Sequence, residues 1–415
     1  MNPGGAKAEV EIELMNEKGE TLTVPWVVEP GARSTAWINR YMPGCSVSAR
    51  VSSPVPIICE RALYFNFQGT RKGGHNSAGA PAPAPEWYLA EGFTAPNFDE
   101  YVLVQNPGNR PVRVEMTFMR EGSGPVEQGF DVAPRSRFTL NLKSVPGLES
   151  AQVSTMVRAE GGDVICERAM YFDYGGNVGG HNSVGVTEPS KRWYLAEGYT
   201  AEGYDTYVLV QNPGETAAVV DLFFLRSDGH EVKRSFELPP ASRKTVRVDD
   251  VPGFEAAEVS TEVRADRPVI AERAMYFDAQ GRDGGHNSAG VPRPSQKWYL
   301  AEGYTGGSFD TYVLVMNPSD APAVARTSFM RSDGHTSTRT DRLLPRSRLT
   351  IHVDAEPGFE QAEVSTLVEG VDGAGLIAER AVYFNYNEAW PGGHNSAGVT
   401  GPSKTWYFAE GYTGL

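Results

Sequence analysis

The chain has little cysteine and lacks both long apolar runs and blocks of like charge. Only 3 of its 415 residues are cysteines, so no disulfide framework supports the fold and cysteine does not indicate secretion. No apolar run reaches the length of a membrane span, and no signal-peptide pattern precedes the first repeat. The formal net charge of −14 disfavours binding to a nucleic-acid backbone or an anionic membrane. We therefore expect no nucleic-acid partner and no membrane insertion of this segment.

The sequence also lacks the motifs of common enzymes and cofactor sites. It contains no phosphate-binding loop, dinucleotide fingerprint or zinc-hydrolase signature. It has no Cys pair, no His-x-His motif and no Asp-rich calcium loop that would hold a metal ion. We predict that the protein is not an enzyme and needs no cofactor or metal.

What the chain does have is one sequence unit used in tandem. The motif Trp-Tyr-Leu/Phe-Ala-Glu-Gly-Tyr/Phe-Thr occurs at intervals of 106, 105 and 108 residues. A unit of this length is long enough to bury its own core. A copied unit usually supplies length and repeated surface, whereas a catalytic site usually occurs once. The copies begin at Trp87, Trp193, Trp298 and Trp406.

Each unit has the pattern of short antiparallel strands. The run Tyr207–Gln211 is followed by the turn residues Asn-Pro-Gly, and Val220, Leu222 and Phe224 alternate with other residues as on one face of a strand. Asp-Gly at 228–229 favours a tight hairpin turn. No segment reads as an amphipathic helix. The fold class predicted is all-β, a tandem array of antiparallel immunoglobulin-like β-sandwiches with about seven strands each.

The repeat motifs set the domain boundaries. Proline in the spacers between copies stiffens them, so we expect semi-rigid beads on a string, with neighbours that touch without merging. The predicted segments are an incomplete first sandwich without its opening strands (1–79), three full repeats (86–186, 192–291 and 297–399), and a spacer with an orphan opening strand (400–415).

The two ends of the chain are out of phase with the repeat. Met1-Asn2-Pro3 aligns with Met316-Asn317-Pro318 in the middle of a unit, and the chain stops just after a new unit begins. One interpretation is a segment cut from a longer gene. The other is that the tail, Trp406 to Leu415, completes the first domain of the next molecule and so builds a head-to-tail filament. Against the second, the tail lacks a counterpart of the strand Tyr207–Gln211.

Two repeated motifs bring charged residues. The Glu-Arg-Ala-x-Tyr-Phe motif supplies one arginine per unit, and the Trp-Tyr motif supplies one glutamate. Such residues suit either a paired-carboxylate hydrolase site or a structural ion pair between strands or domains. We favour the ion pair, because the same set occurs in every unit, and expect each arginine to pair with a carboxylate distant in sequence. The residues are Arg61, Arg168, Arg273 and Arg380, with Glu91, Glu197, Glu302 and Glu410.

A glycine-rich segment, Gly-Gly-His-Asn-Ser, ends each unit. It differs from the nucleophile elbow Gly-x-Ser-x-Gly, because the first glycine of that motif is replaced and no helix follows. We expect each histidine to hydrogen-bond to the glycine-rich backbone and to pack at a domain joint. These histidines are His75, His181, His286 and His394.

The repeated tryptophans have two interpretations. They either stack on sugar rings or cap the end of a sandwich core, and we favour the core. The glycan-stacking candidates are Trp87, Trp193, Trp298 and Trp406.

Four motifs of the repeat together resemble a known group of sequences. They are Tyr-Val-Leu-Val-Gln-Asn-Pro-Gly, Glu-Arg-Ala-Met-Tyr-Phe, Gly-Gly-His-Asn-Ser and Trp-Tyr-Leu-Ala-Glu-Gly. The group they resemble is the uncharacterised tandem β-sandwich repeats of secreted and surface proteins of actinobacteria-like bacteria. The resemblance spans nearly the whole chain. It implies an extracellular or cell-surface setting and a structural or adhesive role, and it carries over no catalytic residue. The function expected is a rod or filament subunit, whose partners are copies of itself or other surface components. The alternative is an adhesion module that binds glycan or cell wall.

Overall fold

The prediction of an all-β chain is confirmed. The structure is a computed structural model that describes residues 1–279 and 281–414, so that Gln280 and Leu415, which the predicted domains include, lie outside the described residues. All of the sheets are antiparallel, and the helical elements among the described residues are short 3₁₀ turns. No helix in this part of the chain has both the length and the apolar character to cross a membrane.

We divide the strands among four units that follow the sequence repeat. The strands of the first stretch are β1 (Ala8–Asn16), β2 (Thr21–Val28), β3 (Val47–Ile57), β4 (Glu60–Phe67) and β5 (Arg71–Ala78). Unit 2 contains β6 (Glu86–Leu89), β7 (Phe98–Asn106), β8 (Val112–Arg120), β9 (Ser123–Val132), β10 (Ser136–Asn141), β11 (Val153–Glu160), β12 (Ile165–Tyr174) and β13 (Asn177–Val184).

The remaining strands repeat this order. Unit 3 contains β14 (Ser190–Leu195), β15 (Tyr204–Asn212), β16 (Ala218–Leu225), β17 (Glu231–Leu238), β18 (Ser242–Arg247), β19 (Ser260–Ala279) and β20 (Arg282–Ala289). Unit 4 contains β21 (Lys297–Leu300), β22 (Asp310–Asn317), β23 (Ala323–Arg331), β24 (Thr336–Leu343), β25 (Ser347–His352), β26 (Val364–Gly370), β27 (Ile377–Tyr386) and β28 (Trp390–Ala397), and β29 (Ser403–Phe408) follows it. The 3₁₀ turns are Ile38–Arg40, Leu142–Ser144, Val248–Asp250, Val353–Ala355 and Val371–Gly373.

Each full unit is a sandwich of two sheets. In unit 2 the sheets have the strand orders β6-β11-β8-β9 and β10-β7-β12-β13, and unit 4 repeats both orders with its own strands. Alternation along β8 explains the packing, because Val112, Val114 and Met116 are buried while Arg113 is exposed. In unit 3 the two sheets are joined, since β19 is one 20-residue strand that takes part in both.

The C-terminal strand completes unit 1, and the prediction of an orphan opening strand at 400–415 is wrong. β29 pairs with β3, with Trp406 opposite Val51, and gives the sheet order β2-β1-β3-β29. The indole nitrogen of Trp406 donates to the carbonyl of Ile57 at 2.8 Å. Unit 1 is therefore residues 1–79 together with the returning tail. The tail, for which completion of a neighbouring molecule was one of two interpretations, pairs within its own chain.

The four units form a closed ring, so the expected arrangement of beads on a string is also wrong. The last hairpin strands of the units pack around one axis, β5 against β13, β13 against β20, β20 against β28, and β28 against β5. The physical reason is that each unit buries both polar and apolar side chains against the next. A string of beads would leave those side chains in water.

The Gly-Gly motif permits this close approach. A Cβ atom on Gly285 would lie 2.9 Å from Cζ of Phe172 in the preceding unit, and one on Gly180 would lie 2.9 Å from Cζ of Phe65. The same relation holds for Gly393 with Phe277 at 2.8 Å and for Gly74 with Phe384 at 3.0 Å. Each hairpin therefore needs glycine where a phenylalanine of its neighbour lies on it.

Candidate functional site: the buried joints

We call the contact between two successive units a joint. Joint A lies between units 1 and 2, joint B between units 2 and 3, joint C between units 3 and 4, and joint D between units 4 and 1. The arginines and glutamates that the sequence analysis singled out meet at these joints. Their geometry is described first for joint B.

In joint B one arginine binds carboxylates from two units. Nη1 of Arg168 lies 3.0 Å from Oε2 of Glu272, and Nη2 lies 3.2 Å from Oε2 of Glu91. Nη1 also donates to the Glu91 carbonyl at 2.6 Å. The other oxygen of Glu272 accepts the backbone N–H of Ala90 at 2.8 Å. The side chains of Arg168 and Glu272 are 0% exposed, so this ion pair is closed to solvent.

Strand alternation explains how one dipeptide serves two joints. Glu167 and Arg168 are adjacent on β12 and therefore point to opposite faces of the sheet. Arg168 faces unit 3, whereas Oε2 of Glu167 lies 2.8 Å from Nη1 of Arg61 in unit 1. Each unit thus presents an arginine to one neighbour and a glutamate to the other. Head-to-tail contacts of this kind form a ring when the rotation closes.

The other three joints repeat the arrangement. In each, the arginine contacts two glutamates. One belongs to the Glu-Arg dipeptide of the next unit, and the other belongs to the Trp-Tyr motif of the arginine's own unit. In joint A, Arg61 is 2.8 Å from Glu167 and 3.2 Å from Glu410. In joint C, Arg273 is 2.7 Å from Glu379 and 3.2 Å from Glu197. In joint D, Arg380 is 2.7 Å from Glu60 and 3.4 Å from Glu302.

The sequence analysis did not select the second set of glutamates, Glu60, Glu167, Glu272 and Glu379. It also missed a second arginine at each joint. Arg348 Nη1 donates to the carbonyls of Gly198 and Val259 in unit 3, at 2.7 and 2.9 Å. The signal for it was in the repeat, because Pro-x-Ser-Arg precedes the same strand in units 2, 3 and 4, and unit 1 has Pro-Gly-Ala-Arg at 30–33. Its counterparts in joints D, A and B are Arg33, Arg137 and Arg243. Each joint thus holds two arginines and two glutamates from the repeated motifs, so the charges of these four side chains sum to zero.

Asparagine from the Gly-Gly-His-Asn-Ser segment completes the arginine's contacts at three joints. Nη2 of Arg61, Arg168 and Arg380 donates to Oδ1 of Asn182, Asn287 and Asn76 at 2.7, 2.8 and 2.8 Å. In joint C the corresponding atoms, Nη2 of Arg273 and Oδ1 of Asn395, have no hydrogen-bond partner among the described residues. Joint C therefore lacks the arginine–asparagine hydrogen bond that the other three joints contain.

The four repeated histidines are buried beside aromatic rings at the joints. His181 lies 5.7 Å from Phe172 and 6.5 Å from Tyr276 between ring centroids. Burial lowers the pKa of each well below the usual range, and the nearby arginine lowers it further. The expected hydrogen bonds to the glycine-rich backbone are absent from the described residues, and Nε2 of His286 instead lies 3.3 Å from the Tyr383 hydroxyl. The histidines are His75, His181, His286 and His394.

The tryptophan side chains are core residues, and the structure contradicts their use as sugar platforms. Each is only 1 or 2% exposed, and its indole N–H donates to a backbone carbonyl of its own unit. A ring that is covered on both faces cannot stack on a sugar. The residues are Trp87, Trp193, Trp298 and Trp406.

Joint B contains an additional carboxyl group, Glu100. Burial raises its pKa to about 8, although Arg168 opposes the shift. Burial likewise raises the pKa of Glu91 to about 7. Both oxygens of Glu100 lack a hydrogen-bond partner among the described residues. Beside it lies a cavity of about 170 Å³ whose wall includes Phe93, Tyr207 and Arg243.

One group of potential metal ligands occurs among the described residues, Asp310, His352 and Asp354. Asp354 already accepts the backbone N–H of Thr311 at 2.8 Å, and Asp310 pairs with Arg282. In unit 3 the counterpart of His352 is Arg247, which pairs with Asp205. A position that takes either arginine or histidine beside an aspartate is explained by ion pairing.

We predict that the joints contribute strongly to stability. Replacing Arg168 by methionine leaves Glu91 and Glu272 buried without a counter-ion, which costs about 3 to 5 kcal/mol. Replacing Arg158, whose pairing with Glu86 is exposed, costs at most about 1 kcal/mol. Urea unfolding of both methionine variants measures the difference, and equal small losses would contradict a stabilising role for the joint.

We also predict that Glu100 makes stability depend on pH. Its pKa is raised from 4.5 to about 8, so the folded state holds a proton that the unfolded state has released. Stability from this group is complete below about pH 4.5 and is lost as pH rises to about 8. In units 3 and 4 the position is threonine, whose hydroxyl donates to the carbonyl of Tyr199 or Tyr304 at 2.5 or 2.6 Å.

Glu100→Thr should therefore gain stability over the parent chain as pH rises, by up to about 5 kcal/mol at pH 9. Unfolding free energies from pH 5 to pH 9 test this, with Glu100→Gln as the neutral isostere and Glu127→Gln as an exposed control. A gain for Glu100→Thr that does not change with pH would show that packing and not charge is responsible.

The chain was compared with protein families, curated proteins and solved structures. No protein-family description matches the sequence, and no curated protein matches it. Among solved structures, the Thermotoga maritima protein 1070 is 17% identical, with 25% of this chain and 94% of that chain covered at a TM-score of 0.24. The Anabaena sensory rhodopsin transducer is 23% identical, with 20% and 92% covered and a TM-score of 0.18. A tetra-tandem repeat from the extending region of a large adhesion protein is 10% identical, with 95% and 93% covered and a TM-score of 0.12.

Proposed function

We propose that the chain is a non-enzymatic structural module, a rigid ring of four β-sandwich units in an extracellular or cell-surface protein. The observation that carries the proposal is the fourfold use of one buried joint. Every contact, including that of unit 4 with unit 1, contains an arginine and two glutamates. Every contact also has a phenylalanine of one unit edge-on to a tyrosine of the next. This arrangement resists opening at every position around the ring.

The chemistry of the joints supports a structural role over a hydrolytic one. Both oxygens of Glu272 are engaged, one by a backbone N–H and the other by Arg168. A general acid or base must instead reach a substrate and exchange a proton with it. The same engagement recurs for Glu60, Glu167 and Glu379. The extracellular setting rests on the sequence resemblance.

The proposal predicts a compact particle whose size does not change with concentration. Small-angle X-ray scattering and negative-stain electron microscopy of the 415-residue chain should show one closed four-lobed body. Deleting residues 403–415 removes the strand that closes unit 1 and should increase the radius of gyration. Gly5→Ala, at an exposed position outside the named strands where an added Cβ meets nothing within 4 Å, provides a control. Filaments that grow with concentration and disappear on deletion of the tail would contradict the closed module and favour donation between molecules.

A second candidate function, glycan or cell-wall recognition, is favoured by a different set of aromatic residues. The aromatic residue that follows Glu-Gly in each Trp-Tyr motif reaches the surface in two units, where Tyr304 is 39% exposed and Tyr412 is 52% exposed. Its counterparts Phe93 and Tyr199 are half-buried. Aromatic faces at equivalent positions of a ring suit a multivalent ligand.

We predict for this candidate that a glycan array detects binding by the parent chain and that Tyr304→Ala with Tyr412→Ala abolishes it. Val219→Ala, which removes another exposed apolar side chain, should leave binding unchanged. A signal at background for the parent chain would contradict glycan recognition and would leave the structural proposal unaffected.

A further inference from the structure

The cavity at joint B has a mainly aromatic wall. It has a volume of about 170 Å³ and lies between units 2 and 3. A cavity of about 150 Å³ is large enough to hold a benzene molecule. Phe93, Tyr174 and Tyr207 are half-buried, so the cavity is reached from the surface. The aromatic residues of the wall are Phe93, Phe98 and Tyr174 from unit 2 and Tyr207 and Tyr276 from unit 3.

A buried carboxyl group lies directly behind this wall. A Cβ atom on Gly92, which lines the cavity, would lie 2.6 and 2.9 Å from the two oxygens of Glu100. Glu100 is 0% exposed, and neither oxygen has a hydrogen-bond partner among the described residues. The four charges that the repeated motifs bring to the joint sum to zero. Ionised Glu100 therefore leaves joint B with one negative charge in excess.

Joint C, between units 3 and 4, has a bulkier residue at one position of the wall. Unit 3 has Tyr204 where unit 2 has Phe98. The ring of Tyr204 lies edge-on to Tyr383 at 5.7 Å, and the Tyr383 hydroxyl donates to Glu197 at 3.4 Å. In joint B the ring of Phe98 lies edge-on to Tyr276 at 6.1 Å and has no hydroxyl. The smaller side chain leaves room in joint B beside the tyrosine of unit 3.

A second difference between the two joints concerns the arginine in the wall. Nη1 of Arg348 in joint C donates to two backbone carbonyls of unit 3. Its counterpart Arg243 donates from Nη1 to Oε1 of Gln152 at 2.9 Å and from Nε to the Ser154 hydroxyl at 3.2 Å. Oε2 of Glu121 lies 3.7 Å from the same Nη1. Arg243 thus has partners of its own, whereas the carboxyl group behind the wall has none among the described residues.

From this arrangement we propose that joint B binds a small quaternary ammonium compound in its aromatic cavity. Aromatic rings attract a cation, and the attraction is stronger where water is excluded. The carboxylate of Glu100 supplies the counter-charge through the wall at Gly92. Because Glu100 is fully covered, a ligand in the cavity cannot hydrogen-bond to it. A quaternary ammonium group has no N–H to satisfy, whereas a primary ammonium group would leave its hydrogen bonds to water unreplaced. The proposal does not depend on the structural role of the ring.

Proton binding by Glu100 should compete with the ligand. Burial raises the pKa of Glu100 to about 8, and the charged groups that face it are Arg168, Glu91 and Arg243. Below this pH the carboxyl group must release a proton before it can act as a counter-charge. The affinity for the ligand should therefore rise about tenfold between pH 7 and pH 9. In Glu100→Gln most of this rise should disappear.

The probe is choline, titrated calorimetrically into the intact chain at pH 9. The control ligands are 3,3-dimethylbutan-1-ol, which has the same shape without the charge, and ethanolamine, which has a primary ammonium group. Choline should bind one-to-one and at least about tenfold more tightly than either. Absence of saturable choline binding, or equal affinity for choline and the neutral alcohol, would overturn the proposal. Ethanolamine binding as tightly as choline would refute the selection of a quaternary group.

Three variants locate the site. Glu100→Gln keeps the shape and removes the charge, and should weaken choline binding at pH 9 at least about tenfold. Tyr207→Leu removes an aromatic ring from the wall and should also weaken binding. Tyr312→Leu, the same change at the equivalent position of joint C, should leave binding unchanged.

Thermal unfolding without choline checks that each variant is folded. Choline affinity that is unchanged in both Glu100→Gln and Tyr207→Leu would place the ligand elsewhere and overturn the proposal. Equal losses in Tyr207→Leu and Tyr312→Leu would likewise show that joint B is not the site.

Discussion

The ring depends on a buried arginine held by two carboxylates from different units. Taking three charges out of water is expensive, and the cost is offset only where hydrogen bonds satisfy the remaining polar atoms. At joint B the backbone N–H of Ala90 and the Glu91 carbonyl provide such hydrogen bonds. The ion pair therefore has low energy only when two units are correctly placed. Removing any one partner leaves a buried charge without a counter-ion. The joint therefore specifies how two units are placed and also adds stability.

The Glu-Arg dipeptide extends this constraint around the ring. Adjacent residues on a strand face opposite sides of a sheet, so a unit that offers its arginine to one neighbour must offer its glutamate to the other. Four such contacts close within one chain, from Arg61 with Glu167 to Arg380 with Glu60. Near the axis, the phenylalanine of one unit lies on the glycine of the next, as Phe172 does on Gly285. Charge and shape thus select the same arrangement of units.

Three features depart from the fourfold pattern and distinguish one unit or joint from the others. Glu100 replaces the threonine of units 3 and 4 and leaves joint B with a carboxyl group that has no counter-charge of its own. Joint C lacks the arginine–asparagine hydrogen bond of the other three. Unit 1 lacks a strand in its second sheet. In a repeat protein of otherwise equal joints, these differences distinguish one unit from another.

The sequence alone determined the repeat, the all-β class, and the positions of the strands and turns, because these follow from local periodicity and turn chemistry. Alternation along the strand also indicated that Arg168 pairs with a distant carboxylate. It did not identify Glu272 as a partner, because alternation gives the face of a side chain and not the unit that covers that face. Closure of the ring, the return of Trp406 to β3 and the burial of the tryptophans were decided only by the tertiary structure. Each depends on contacts between residues far apart in the chain, such as Trp406 with Val51. Such contacts form only when the chain has folded back on itself.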